Sequence, residues 1–288
     1  MASTSASDSE EGCLLVIILD VHPCLASNEG EAEVYLNTVT AFANLHLASS
    51  GANRLAIIAA NHAQSCYLYP DQSHEEVERQ IDGRLELLSH VDKILHENLK
   101  KMMVTTTIFT QSESLIVGAL GRALTYVRRI ESEDGLNKKI NARILVIKVS
   151  TDAGGQYLNY VNMYLTAQKM RLPVDMCVIG SDCGLLQQGA DITGGLYYKV
   201  NSVDKLMQSL MMIFMPNLDS RRRLALPPSG SVDYRAACFC HRSLVDMAHV
   251  CSNCLSVYCK AVPLCSTCNA LFGMEMPIRK PPKKKKND

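Results

Sequence analysis

Several absences narrow this 288-residue sequence before any motif is read. It has no net charge, with 29 basic residues against 29 acidic ones. From Pro277 onward six basic residues face one acid. That puts the end of the chain at +5 and the remainder, 23 basic against 28 acidic, at −5. A nucleic-acid-binding surface is therefore not expected on the body from charge alone. No basic start with an apolar stretch of signal-peptide length precedes Asp20, so no secretion is expected. Nor does any run approach the ~20 apolar residues of a membrane span; the longest later one, around Leu206 to Met215, contains Gln208 and Ser209. The turn after the first apolar run lacks the glycines with which a dinucleotide site or P-loop brings backbone amides to phosphate. His74-Glu75 and His96-Glu97 lack the second histidine of a helical zinc protease, because Glu78 and Lys100 stand in its place. With no paired carboxylates, nucleophile–base set or phosphate loop, no enzyme is expected.

What is present begins with Leu14-Leu15-Val16-Ile17-Ile18-Leu19-Asp20. An unbroken apolar run of this length suits a strand covered on both faces, as in a parallel sheet with helices on either side. In such sheets the carboxyl end of a strand looks into the crevice where ligands bind, which is where Asp20 falls. Apolar periodicity then predicts a helix over Glu31–Ser50, and strands over Arg54–Ala60 and Ser65–Tyr69 paired as a hairpin edge. A charged helix is expected over Glu75–Lys101, with Gly83 as a possible break. Thr110-Gln111-Ser112-Glu113 is a capping-box sequence ahead of a strongly helical run, Leu115 to Val127, in which Gly118 and Gly121 would permit close approach to the sheet. Strands follow at Arg143–Val149, Val174–Ile179 and Leu196–Val200, with helices at Tyr157–Lys169, Leu185–Ile192 and Val203–Met215. This alternation predicts an α/β fold with a doubly wound, mostly parallel sheet.

Twelve cysteines are unevenly placed, seven of them between Cys238 and Cys268. Cys251-x-x-Cys254 and Cys265-x-x-Cys268 supply four soft ligands, the donor set of a closed tetrahedral structural zinc site. Cys238, Cys240, His241 and Cys259 are left over. They could form a second zinc site in a RING-like cross-brace, although Cys-x-Cys spacing and a single Cys259 make packing roles the simpler expectation. Cys13, Cys24, Cys66, Cys177 and Cys183 lie in or beside apolar strands and read as small hydrophobes. A catalytic Cys24 paired with His22 has no third orienting group. The domains expected are a flexible N-terminus over 1–12, an α/β domain over 13–215, a linker over 216–237, a zinc-binding module over 238–272 and a basic flexible tail over 273–288. The Lys283–Lys286 run reads as a solvated tail, a nuclear-targeting patch or a phosphate contact.

Asp20 ending the first strand, Thr151-Asp152 ending a middle strand, and Leu186-x-x-x-Ala190-Asp191-Ile192-Thr193-Gly194-Gly195-Leu196-Tyr197-Tyr198 together resemble a von Willebrand factor A domain over Leu14 to Met215. Metal-binding members of that family carry Asp-x-Ser-x-Ser after the first strand and hold Mg²⁺ through oxygen ligands. Here the stretch is Asp20-Val21-His22-Pro23-Cys24, with an imidazole and a thiol in place of both serines. The resemblance thus implies a vestigial site at Asp20, Ser112 (or Ser114) and Asp152, with Mg²⁺ not expected. Val232-Asp233-Tyr234-Arg235-Ala236-Ala237-Cys238-Phe239-Cys240-His241-Arg242, Arg143–Lys148, Gly184–Gln188 and the lysine-rich tail extend the likeness. The whole chain resembles the family of 34-kilodalton subunits of the general transcription and DNA repair factor TFIIH.

That resemblance implies a nuclear, non-catalytic structural subunit of the TFIIH core, acting in RNA polymerase II transcription initiation and nucleotide excision repair. It implies binding to the 44-kilodalton subunit through that partner's RING-type domain and to other core subunits. No small-molecule substrate or membrane is implied, and nucleic acid would be met only indirectly. Two alternatives remain from the residues themselves. One is a metal-dependent ligand-binding A domain using Asp20 and Asp152; the other is a RING ubiquitin ligase, which needs two complete zinc sites.

Overall fold

Every residue from Leu14 to Asp20 is buried in the first strand, β1 (Cys13–Asp20), as its unbroken apolar run requires. The computed structural model describes residues 12–22, 29–70, 84–104, 114–133, 141–150, 156–227, 230, 232–236, 238–241 and 245–272. They fall into two units, Met1–Asp233 and Tyr234–Asp288. In the first unit β1 is followed by α1 (Glu29–Ser49), β2 (Arg54–Ala60), β3 (Ser65–Tyr69), α2 (Arg84–Val104) and α3 (Ile116–Glu133). Then come β4 (Asn141–Lys148), α4 (Tyr157–Met170), β5 (Val174–Ile179), α5 (Gly184–Thr193) and β6 (Tyr197–Val200). The start expected for the charged helix at Glu75, and the break at Gly83, lie outside the described residues.

The six strands run in the order β3-β2-β1-β4-β5-β6, all parallel except the edge pair β2–β3. Alternate residues of β1 serve opposite layers. Leu14, Val16 and Ile18 pack with α3, α4 and α5, while Leu15, Ile17 and Leu19 pack with α1, α2 and the final helical segment. This is the doubly wound, von Willebrand A-like architecture expected, with Asp20 where the chain departs in opposite directions on the two sides of β1.

The helix expected over Val203–Met215 is uneven. A 3-10 turn at Val203–Lys205 leads into α6 (Leu206–Ser209) and a π turn at Leu210–Phe214, closed by Met215 N–H to Leu210 O at 2.9 Å. Its last carbonyls are met by a buried cation: Arg143 donates to Phe214 O at 2.5 Å, Pro216 O at 2.9 Å and Met215 O at 3.0 Å. A guanidinium there satisfies orphan carbonyls and complements the negative end of the helix.

The chain after Pro216, a linker by composition, starts as folded structure. Asn217 caps α7 (Leu218–Arg221) by accepting Ser220 N–H at 2.9 Å, and Arg221 turns inward onto Asp175 through two bonds of 2.8 and 2.6 Å. Asp175 also accepts Leu196 N–H at 2.9 Å, and Arg221 Nε donates to Pro216 O at 3.0 Å. Both side chains are buried, so removing either partner would strand a charge at a cost of about 3–5 kcal/mol. Composition marks an arginine run as solvated; the buried carboxylate of β5 decides otherwise for Arg221.

The expected role of Gly118 and Gly121 is not required by the packing. A methyl at Gly118 would meet Ser65 Oγ at 3.4 Å, and one at Gly121 would meet Met163 Sδ at 3.7 Å. Tight glycines lie elsewhere: within α5 a Cβ on Gly189 would fall 2.3 Å from the Tyr164 ring, and after α5 one on Gly195 would fall 2.0 Å from Val174 O. Gly194, with φ 72°, ends α5 in the left-handed conformation, so the Gly194-Gly195 pair makes the turn into β6 sterically possible.

At the opposite end of the sheet from Asp20, His46 Nε2 lies 3.3 Å from Cys13 O and 3.2 Å from Arg54 O, while Asn53 bridges Cys13 N–H and His46 O. Burial, with the nearby Arg143 charge, pulls the His46 imidazole from its ordinary 6.5 to about 4. It folds neutral, whereas the unfolded chain takes up a proton below pH 6.5. Its contribution is therefore intact above that pH and lost as pH falls toward 4, by about 3 kcal/mol in all. Urea unfolding followed by circular dichroism should show this decline for the native chain, and His46→Gln should flatten it between pH 6.5 and 4.

Candidate metal centres and the switch-point carboxylate

Asp20 is fully buried at the carboxyl end of β1. Its Oδ1 accepts from Ser114 Oγ at 2.5 Å, and its Oδ2 accepts from Val149 N–H at 3.1 Å and Ser150 N–H at 2.7 Å. Thus one carboxylate ties β1, the end of β4 and the residues leading into α3. Ser114 is the serine brought to Asp20; Ser112, Asp152 and Cys24 lie outside the described residues. His22 is buried beyond β1. Both Asp20 oxygens serve protein donors, so the carboxylate acts as a latch between these segments.

The remaining cysteines of this unit divide by environment. Cys177 is a buried strand residue whose thiol is pushed up to about 12 by burial. Cys183, read as a small hydrophobe, also caps α5: its sulfur accepts Leu186 N–H at 3.4 Å and lies 3.6 Å from Lys148 Nζ. Side-chain acceptors at this position replace the missing helical partners.

The second unit holds two turns of the same design, the first framed by an antiparallel ribbon, β7 (His249–Val250) with β8 (Val257–Tyr258), and the second by an antiparallel bridge between Leu264 and Leu271. In the first, Cys251 N–H donates to Ser256 O at 3.0 Å and Leu255 N–H to Cys251 O at 2.9 Å. In the second, Cys265 N–H donates to Ala270 O at 2.9 Å and Asn269 N–H to Cys265 O at 2.9 Å. Leu255 and Asn269, each directly after a Cys-x-x-Cys, sit at φ 60° and 58°. The reversal this imposes points both thiols of each turn to one side. Across the turns the sulfurs of Cys251 and Cys268 are 3.6 Å apart and those of Cys254 and Cys265 are 3.5 Å apart. Tetrahedral zinc with ~2.3 Å bonds needs sulfurs ~3.8 Å apart, so the four sulfurs already lie near that spacing.

Tyr258 supports this group from inside. Its buried ring has Phe239 on one side and meets Phe272 edge-on at 5.8 Å. Its oxygen accepts Ser266 N–H at 3.1 Å and lies 2.9 Å from Ser266 Oγ and 3.2 Å from Cys265 Sγ. Burial pushes the Cys265 thiol up, but the Tyr258 hydroxyl and the backbone of Cys268 and Thr267 outweigh it and hold the group at about 5, favouring thiolate.

Sequence spacing made the second group the weaker expectation, yet its members are brought together. The ligand atoms of Cys238, Cys240, His241 and Cys259 all lie within 4.8 Å of one another. His241 Nδ1 is 3.2 Å from both Cys240 Sγ and Cys259 Sγ, which are 3.3 Å apart. Along the chain this group is interleaved with the four-cysteine group, because Cys259 falls between the two Cys-x-x-Cys turns. That order is a cross-brace, and it was the available signal: a lone Cys259 has a place only if His241 completes its set. Among the described residues the unit's buried apolar set is small, Cys251, Tyr258 and Cys265 with half-buried neighbours, so a bound ion would carry much of its folding free energy.

Asp20→Asn should cost about 2–3 kcal/mol in urea unfolding, the scale of a charged hydrogen bond, while Mg²⁺ added to the native chain should leave its melting temperature unchanged. Chelation of metal at neutral pH should bring the Cys251, Leu255, Cys265 and Asn269 amides to near-unfolded hydrogen-exchange rates and leave β1 and β4 protected.

A family model, transcription factor Tfb4, matches residues 12–269. The general transcription and DNA repair factor IIH subunit tfb4 of Schizosaccharomyces pombe is 34% identical over 281 residues, spanning 95% of this chain and 92% of that one. The corresponding TFB4 subunit of Arabidopsis thaliana is 32% identical, spanning 94% and 93%. Among solved structures, the TFIIH p34 N-terminal domain aligns with a TM-score of 0.59 at 26% identity, over 69% of this chain and 96% of that one. A von Willebrand factor type A protein from Catenulispora acidiphila aligns with a TM-score of 0.50 at 10% identity, over 69% and 41%, a likeness of fold.

Proposed function

The chain belongs to the transcription factor Tfb4 family, and on that premise we propose that it is a non-catalytic structural subunit of the TFIIH core in RNA polymerase II transcription initiation and nucleotide excision repair. The observation that carries this is the extent of the match. It begins at the start of β1 and runs through Cys268, so the A-like domain and both cysteine groups are inside it. The relatives' names describe factor subunits, and no name among them describes an enzyme or a ligase. Nuclear localisation follows from the same role, and the lysine-rich tail over 273–288 suits a targeting signal. Among the described residues no helix is long and apolar enough to cross a membrane.

Within the complex the 44-kilodalton subunit is the proposed partner, held through its RING-type domain by the A-like domain over 13–215. Zinc is the proposed ion for Cys251, Cys254, Cys265 and Cys268, whose all-sulfur set suits a soft, structural, four-coordinate metal. The same ion suits the Cys238, Cys240, His241 and Cys259 set. Zinc would cross-link segments distant in sequence; the chain's own residues do the rest by preforming the turns and aiming the thiols.

Native mass spectrometry of the full chain, with and without the RING-type domain of the 44-kilodalton subunit, tests both assignments. The expected result is a one-to-one complex, with two zinc ions on this chain and no dependence on magnesium. Failure to form the complex would overturn the partner assignment, and a chain that takes up no zinc would overturn the metal assignment.

A further inference from the structure

The two cysteine groups differ in what reaches them. In the four-cysteine set Cys251 and Cys265 are buried, at 2% and 0% exposure, and Cys265 has the Tyr258 hydroxyl against its sulfur. In the other set Cys240 and His241 are exposed and only Cys238 is buried. A small oxidant must reach a zinc-bound sulfur to attack it, so the more exposed set meets it first. Its geometry also favours a particular product, because the Cys240 and Cys259 sulfurs are 3.3 Å apart.

We propose that the Cys238, Cys240, His241 and Cys259 centre is a peroxide-sensitive metal-release site, in which Cys240 and Cys259 close a disulfide while the four-cysteine centre keeps its ion. This rests on the reading that both groups hold zinc. The step balances with one hydroperoxide. The Cys240 thiolate attacks the peroxide, the O–O bond breaks, and a sulfenic acid and hydroxide form. The Cys259 thiolate then attacks that sulfur, forming the S–S bond and expelling a second hydroxide. Two protons from solvent convert both hydroxides to water. Two thiolates are oxidised by two electrons, the peroxide is reduced, and zinc leaves because two of its four ligands are gone. The turns around Cys251 and Cys265, with their own backbone bonds and ligands, are untouched by this chemistry.

The test uses the full chain loaded with zinc. Native mass spectrometry first counts bound ions; hydrogen peroxide is then added with a chromogenic chelator, and peptides are mapped without reductant. The expected result is two ions before treatment, loss of one as a Cys240–Cys259 disulfide appears, and its recovery on adding thiol reductant and zinc. A starting count below two would overturn the two-centre reading, and this inference with it. A count of two followed by simultaneous loss of both ions, earlier loss from the four-cysteine set, or a disulfide elsewhere would overturn the release site alone.

Discussion

A carboxylate that ends a strand buried on both faces must find donors inside the protein, and the A-like domain depends on how Asp20 finds them. Water does not reach this group, and burying it unpartnered would cost several kcal/mol. Three donors from two segments far away in sequence meet its oxygens: Ser114 ahead of α3, and the Val149 and Ser150 amides beyond β4. The fold thereby closes the point where the sheet's winding reverses. That position commonly serves a ligand in open α/β sheets; here the same polar group holds the chain together.

The opposite end of the sheet follows the same rule with the sign reversed. Arg143 and Arg221 are buried cations, one given three carbonyls at the end of the last helical segment and the other a bidentate carboxylate, Asp175. Neither arrangement adds much stability over an apolar pair of the same volume, but each makes alternative packings expensive. The last helical turns and the chain after Pro216 are thus committed to one position. Among the described residues the cysteine-rich unit has no such apolar layer to build on, and its order comes from two repeated turns that converge thiols on a metal-sized space. Its family relation and its ligand geometry agree on a structural role.

Much of this was legible from local pattern. Unbroken apolar runs and helical periodicity located the sheet and its helices, since burial on two faces or one leaves a direct trace in residue order. The Cys-x-x-Cys pairs located the four-cysteine set, because a short turn allows few ways to aim two thiols. Resemblance of Asp20, Asp191 and their neighbours to the A-domain pattern led to the architecture that the strand order then bore out.

Partnership across long separations was decided only in three dimensions. That Ser114 meets Asp20, that Arg221 leaves an apparent linker to pair with Asp175, and that His241 and Cys259 complete a second ligand group all depend on which segments the fold brings together. Spacing says nothing of a partner 94 residues away, whereas burial compels every charge to have one. The sequence by itself determined the elements and one candidate metal-ligand set, through short-range periodicity and turn geometry. Tertiary structure decided which polar groups meet, because desolvation acts on neighbours in space.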